Sequence, residues 1–222
     1  MKTSMRFVAV LLIGIGLYFI VHAQKPVPVR FIVGFDSTPQ FADALAKTGA
    51  MVLPGLKKSS GDQYELYAVD GSTALISSTL PADSNEALTV LRSIVTINQT
   101  RLADFFDKLV PIVKASKQPV IVIVFTDGLS DEDVHYAEAR IRLAAQQLRL
   151  CSNFQSLILC GLTRETRSLA SGQIRAGLPE LLGGIKDKLV VLPRSTLNPS
   201  PVLSAVKSAR QSLIKGEKTD AN

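Results

Sequence analysis

Residues 120–133 read Val-Ile-Val-Ile-Val-Phe-Thr-Asp-Gly-Leu-Ser-Asp-Glu-Asp, and this stretch decides the fold. It opens with an unbroken apolar run, mostly β-branched, that lies between Pro119 and Gly128. Such a run is typical of a parallel strand that helices cover on both faces. Thr126 and Asp127, which follow, would then lie at the carboxyl edge of a sheet, where open α/β sheets place their ligand sites. The stretch therefore predicts a fold class and the edge at which a site is expected.

Strand-like and helix-like segments alternate through the rest of the chain. Further strands are predicted at residues 30–35, 64–69, 73–78, 155–160 and 189–192, and helices at 36–47, 83–94, 101–113, 131–150, 165–182 and 201–214. Asp70-Gly71-Ser72 separates two of these strands as a hairpin turn, so one edge strand is expected to be antiparallel. The pattern predicts a doubly wound α/β domain with a mostly parallel sheet and helices on both faces.

The composition is that of a globular protein. The 222 residues are 46% hydrophobic and 20% charged, which suits one domain with a sizeable core. The formal net charge is +6, but the basic residues are scattered, aromatic residues make up only 6% and Trp is absent. Specific nucleic-acid binding is therefore not expected, because no stacking platform accompanies the charge. A positive surface would instead favour anionic lipid headgroups near a membrane.

The N-terminus predicts export. Lys2 and Arg6 precede an apolar tract at residues 7–23, so residues 1–23 have the layout of a signal peptide or a transmembrane signal-anchor. A retained anchor is favoured, because the tract is longer than the usual apolar region of a signal peptide. Residues 24–29 would be a linker, 30–214 an extracytoplasmic domain, and 215–222 a flexible tail.

The cysteines and histidines do not predict a catalytic site. Cys151 and Cys160 are expected at opposite ends of one strand, too far apart for a disulfide, and so to be buried free thiols. His22 lies in the N-terminal tract and His135 in a predicted helix. Phosphate-loop and nucleophile-elbow motifs are also absent from the sequence. No catalytic residue is assigned.

Three polar clusters stand where predicted strands end or helices begin. They are Asp36-Ser37-Thr38-Pro39-Gln40, Thr100, and Thr126-Asp127-Gly128. Taken singly, each is an ordinary cap or turn. Together, and in this order, they resemble the von Willebrand factor A (VWA) domain family over about residues 29–214. That family has Asp-x-Ser-x-Ser after its first strand, a lone Thr before a later helix, and an Asp, often in Thr-Asp-Gly, after its central strand.

The resemblance implies a Rossmann-like fold with a metal-ion-dependent adhesion site. Asp36, Thr38 and Thr100 would be direct or near-direct ligands, and Asp127 would act largely through water. Gln40 stands where the family has its second Ser, so the motif is partly degenerate. With these residues the implied cation is Mg²⁺, for which Mn²⁺ would substitute, because both are hard cations that prefer oxygen ligands.

The function expected from the resemblance is that of a non-enzymatic, extracytoplasmic protein-binding module tethered by its N-terminal helix. An acidic residue of the protein partner would complete the shell of the cation. Two alternatives stay open. In a metal-assisted hydrolase, Asp36 and Asp127 would hold a cation that activates water. In a metal-free structural component of an envelope complex, helix faces would carry the contacts.

Overall fold

The computed structural model describes residues 27–36, 42–56, 59–70, 73–94, 99–163 and 177–219. The predicted N-terminal anchor lies outside these residues, as do Ser37, Thr38, Pro39 and Gln40. Within the described ranges, no helix combines the length and the apolar composition needed to cross a membrane.

The strands are β1 (Arg30–Phe35), β2 (Gln63–Ala68), β3 (Leu75–Ser77), β4 (Val120–Phe125), β5 (Phe154–Leu162) and β6 (Leu189–Pro193). The α-helices are α1 (Ala42–Val52), α2 (Ser84–Ser93), α3 (Leu102–Ala115), α4 (Val134–Arg149), α5 (Leu178–Leu181) and α6 (Pro199–Thr219), with short 3₁₀ turns at Leu53–Gly55, Gly183–Lys188 and Arg194–Thr196.

The strands form one sheet in the order β3-β2-β1-β4-β5-β6. Every neighbouring pair is parallel except β2 and β3, which run antiparallel at the edge. The predicted fold class is thereby confirmed, including its single antiparallel edge strand. β1 and β4 lie side by side in the middle of the sheet, so their carboxyl ends, Phe35 and Phe125, are neighbours. This pairing brings the residues after the two strands to one place.

The apolar run of β4 is buried throughout because helices cover both faces of the sheet. Ile121, Ile123 and Phe125 point into a core with α1, α2 and α6. Val122 and Val124 point into a second core with α3, α4 and α5. A strand with two apolar environments cannot alternate apolar and polar residues, which explains its sequence.

Two helices end well beyond their predicted last residue, and residues 165–176 of the helix predicted over 165–182 lie outside the described residues. α1 continues past its predicted end at residue 47, through Gly49, to Val52. The glycine has a packing role, because a Cβ at this position would lie 3.0 Å from Leu91 Cδ1 of α2. α6 runs past the predicted end at Ile214 to Thr219 and so includes the first residues of the predicted tail.

The cysteines are free and buried, as predicted. Cys151 precedes β5, and Cys160 lies near the end of that strand. Burial raises the pKa of the Cys160 thiol to about 12, so this side chain stays protonated and acts as part of the core.

Candidate metal-binding site

Asp36 lies at the centre of the polar cluster at the carboxyl edge. It follows β1 directly, its backbone N–H donates to Phe125 O at 2.8 Å, and its side chain is fully buried. Oδ1 accepts a hydrogen bond from Thr100 Oγ1 at 2.8 Å, and Oδ2 accepts one from Thr126 Oγ1 at 2.9 Å. Three loops that are distant in sequence therefore meet at one carboxylate.

Thr100 does not cap the helix that follows it. The N-cap of α3 is Arg101, which makes no side-chain capping bond, and the Thr100 hydroxyl is directed to Asp36 instead. The backbone of Thr100 is fixed on both sides, by an antiparallel bridge to Asp70 and by two bonds to Asp131. Thr100 N donates to Asp131 Oδ2 at 2.7 Å, and Asp131 N donates to Thr100 O at 2.9 Å. The reading of Thr100 as an ordinary cap is thus wrong.

The acidic residues before α4 stabilise two different helices. Asp133 caps α4 by accepting a hydrogen bond from Tyr136 N at 3.1 Å. Glu132 instead reaches the N-terminus of α3, where its Oε2 accepts from Ala103 N at 2.7 Å. The first backbone N–H groups of a helix have no partner within it, and a carboxylate there is stabilised further by the helix dipole. The loop after β4 is in this way attached to the start of α3 and holds Thr100 against it.

Asp127 is buried beside this cluster. Its Oδ1 accepts a hydrogen bond from Leu129 N at 2.8 Å, within the turn that Gly128 makes at φ 86°. Burial raises the pKa of the Asp127 carboxyl, the charge of Asp131 raises it further, and Arg194 opposes the increase. A cation at this edge would favour the ionised carboxylate and so oppose the increase in the pKa of Asp127.

The donor atoms suit a hard divalent cation. Asp36 and Asp127 offer carboxylate oxygens and Thr100 a hydroxyl oxygen, the ligand types that Mg²⁺ and Mn²⁺ prefer. A hydroxyl that donates a hydrogen bond to a carboxylate still has its oxygen lone pairs available to a cation. The described part of the chain contains no group of three or more His, Cys, Asp or Glu side chains that could hold a metal, so a site here would depend on hydroxyls.

Of the predicted site residues, the structure brings Asp36 and Thr100 into direct contact. It places Asp127 next to Thr126, which also contacts Asp36, while Thr38 and Gln40 lie outside the described residues. Thr126 was not predicted as a site residue. The available signal was its position at the end of β4, in register with the end of β1, together with a hydroxyl in a fully buried place.

No protein-family model matches the sequence, and no curated protein matches it. Solved structures do resemble the fold. A match with the vWF domain of the type V pili tip protein Mfa5 from Porphyromonas gingivalis has a TM-score of 0.53 and 10% identity, covering 87% of this chain and 97% of that one. The ArnB paralog VWA2 from Sulfolobus acidocaldarius matches with a TM-score of 0.52 and 15% identity, over 82% of this chain and 45% of that one. The chain has the von Willebrand factor A fold.

A third VWA-like match is manganese-loaded TRAP protein from Plasmodium vivax, with a TM-score of 0.51 and 14% identity, covering 84% of this chain and 75% of that chain. The chain thus spans less than half of the archaeal protein and most of the other two. Identities this low concern the fold alone. The function must be argued from the site.

Proposed function

We propose that the chain is an exported, membrane-tethered VWA-type module that binds a protein partner through a divalent cation at the carboxyl edge. The observation that carries the proposal is the Asp36 carboxylate, buried and bonded by the hydroxyls of Thr100 and Thr126. Burying polar groups is unfavourable unless they are paired, and a cap or turn would not need three loops to converge. A metal-binding role accounts for their convergence.

Asp36, Thr100 and Asp127 would hold the cation, with Thr38 and Gln40 as the remaining candidates from the motif. When bound, the cation supplies an open coordination position that a carboxylate of the partner fills. The chain's own residues keep the site in place. Thr126 orients Asp36, and the loop around Asp131 holds Thr100.

The comparisons support parts of this proposal. One protein of the same fold is a pilus tip protein, and another was crystallised with manganese, which agrees with an extracytoplasmic, metal-dependent module. The apolar tract at residues 7–23 supports export and tethering. We infer that the module is not an enzyme, because the edge cluster, as far as the described residues form it, has no evident nucleophile or general base beside the residues that would hold the cation, and His135, the histidine within the described residues, is exposed on α4.

Calorimetric titration of Mg²⁺ and Mn²⁺ into the detergent-solubilised full-length chain tests the metal site. We expect the parent to bind both ions and Asp36→Asn to bind neither. Asp62→Asn is the matched control, since Asp62 is also a buried, hydrogen-bonded aspartate, paired with Arg210 at the other end of the sheet. Binding that survives in Asp36→Asn would contradict the proposal, and so would an equal loss of binding in Asp62→Asn, because that loss would not be specific to the edge. A folded parent that binds neither ion would favour the metal-free structural component.

A further inference from the structure

The end of the domain opposite the candidate site is the end at which β1, the first strand, begins. Arg30, Val120 and Phe154 begin β1, β4 and β5 in mutual register. The chain arrives here from the predicted anchor, and Val29 N is fixed by a 3.0 Å hydrogen bond to Asp62 Oδ1. We call this end the base, formed by the described residues of 27–30, 56–62, 114–120, 149–154 and 186–189. Six-residue strands separate the base from the candidate site by roughly 20 Å.

Exposed basic side chains collect at the base. Lys117 precedes β4, Arg149 ends α4, Lys186 lies before β6, and Lys114 is in the last turn of α3. Among the acidic side chains of the described base, Asp62 is paired with Arg210, which leaves Asp187 as the exposed one. The carboxyl edge has the opposite character. It carries six acidic side chains, with Arg101 and Arg194 as basic neighbours; the acidic ones are Asp36, Asp70, Asp127, Asp131, Glu132 and Asp133.

An apolar side chain accompanies these charges. Leu150 is 85% exposed directly after Arg149, at the C-terminal end of α4. Favourable interaction with helix dipoles accounts for the basic sign of Lys114 and Arg149. It does not account for Lys117, which lies beyond the end of α3, or for an exposed leucine. Basic side chains beside an exposed apolar residue are typical of surfaces that dock on anionic lipid.

We infer that the base docks on the anionic lipid headgroups of the membrane that residues 7–23 enter, and that the candidate metal site faces away from that membrane. The inference rests on the proposed membrane tether but does not depend on the metal. Two features select lipid as the occupant. The chain leaves the base toward an apolar tract only a few residues upstream, and the exposed charge of the base is complementary to an anionic bilayer.

The test uses the full-length chain in nanodiscs with neutral lipid or with about one-third anionic lipid. A fluorophore is attached at Ser60→Cys, exposed at the base, or at Ser195→Cys, exposed near the carboxyl edge. Native Cys151 and Cys160 are buried and are not expected to react under native conditions. Quenching by spin-labelled headgroups reports how close each label is to the bilayer.

We expect strong quenching of the base label on anionic nanodiscs, little on neutral ones, and little at the edge label on either. Lys117→Glu/Arg149→Glu should lower the docked-to-undocked ratio at least tenfold, since each basic residue near an anionic surface contributes about fivefold in affinity. Arg142→Glu/Arg92→Glu changes the net charge equally at exposed positions, in the middle of α4 and beside Asp43 at the start of α1, and should have little effect. Raising the salt should release the base, because the charges are exposed.

Any one of four results would overturn the inference. A base label that is quenched equally on neutral lipid, or equally in the Lys117→Glu/Arg149→Glu variant, would show that charge does not hold the base. If neither bilayer quenches the base label, but added polyglutamate shields it, the surface would be assigned to an acidic protein. A chain that does not insert into nanodiscs at all would remove the tether, and that failure is recognised separately because the protein then elutes without lipid.

Discussion

The two ends of the same six-stranded sheet treat their polar residues in opposite ways. At the carboxyl edge, Asp36, Thr100 and Thr126 are buried and bond to one another across three loops. At the base, Lys117 and Arg149 are exposed to solvent. A buried polar group destabilises the fold unless its partners are in place, whereas an exposed charge has little influence on folding. Substitutions at the edge should therefore affect both stability and binding, and substitutions at the base only binding.

The largest effect is expected from Asp36→Ala. The substitution removes both acceptors and leaves the hydroxyls of Thr100 and Thr126 buried without them. Because each unsatisfied buried group costs about 1–3 kcal/mol, we expect the free energy of unfolding to fall by about 3 kcal/mol. Urea unfolding of the metal-free protein, with Asp36→Asn as the isosteric control, measures the loss. A loss of no more than about 0.5 kcal/mol for Asp36→Ala, the size usual for a substitution at an exposed site, would mean that the edge is not held by this carboxylate.

The next effect concerns Gly161, which lies in β5 beside the loop of Thr126. Its φ is +101°, and a Cβ would lie 2.5 Å from Leu45 Cδ2 and 3.1 Å from Thr126 O. Gly161→Ala should destabilise the fold by about 2 kcal/mol, because left-handed backbone and close contacts both disfavour a side chain. Gly183→Ala is the control, since nothing lies within 4 Å of a Cβ there. Thermal melts of the two variants compare the positions directly. Equal melting temperatures would contradict the strain argument.

The sheet could be predicted from the sequence because a strand that is buried on both faces consists of consecutive apolar residues. The apolar run of β4 and the antiparallel pairing of β2 with β3 were each predicted from nearby residues alone, and both were confirmed, although Gly71 and Ser72 of the predicted turn lie outside the described residues. The convergence of Asp36 and Thr100 also followed, through the order of the motif and the rule that parallel strands end at one edge.

The partners of individual side chains did not follow from the sequence. Glu132 lies at the start of the helix predicted over 131–150, but its carboxylate accepts from the N-terminus of α3, because the choice depends on how two helix starts are placed in space. The helix predicted to end at residue 47 continues through Gly49, where close packing against Leu91 leaves no room for a side chain. Thr126 was passed over for the same reason, since a buried hydroxyl after a strand cannot be assigned a partner until the neighbouring strand is known.

The Thr100→Val substitution tests whether the Thr100 hydroxyl binds the cation or only orients Asp36. Valine keeps the shape but removes the hydroxyl, so Asp36 Oδ1 loses a donor. We expect a loss of about 1–2 kcal/mol in the free energy of unfolding, and at least tenfold weaker Mg²⁺ binding if the hydroxyl is a ligand. Thr126→Val removes the other donor to Asp36 and serves as the comparison. If both variants weaken Mg²⁺ equally, Thr100 only orients Asp36. If Thr100→Val alone weakens it, the hydroxyl binds the cation.

The pH dependence should reverse when metal is added. Burial raises the pKa of Asp127 above its ordinary value of 3.8, so between the two values the folded protein retains a proton that the unfolded chain has lost. The free energy of unfolding of the metal-free protein should therefore gain a component that falls as pH rises through this window and levels off above the folded-state pKa. Asp127→Asn should lack this component. With Mg²⁺ at saturation the ionised carboxylate is favoured, so acid should weaken binding. Unfolding curves from pH 4 to pH 7 that are superimposable for parent and Asp127→Asn would show that Asp127 is not perturbed.

The smallest stability effect is expected at the base. Lys117→Glu/Arg149→Glu should change the free energy of unfolding by no more than about 0.5 kcal/mol per site, because both side chains are exposed, and the Arg149 change loses only a modest helix-dipole contribution. Denaturant unfolding in solution, away from lipid, measures this quantity.

The same variant is expected to lose docking on anionic nanodiscs, whereas Asp36→Asn should keep docking and lose the metal. Independent loss of the two activities would establish that the two ends of the sheet are separate surfaces. A base variant as unstable as Asp36→Ala would instead make the lost docking a consequence of unfolding.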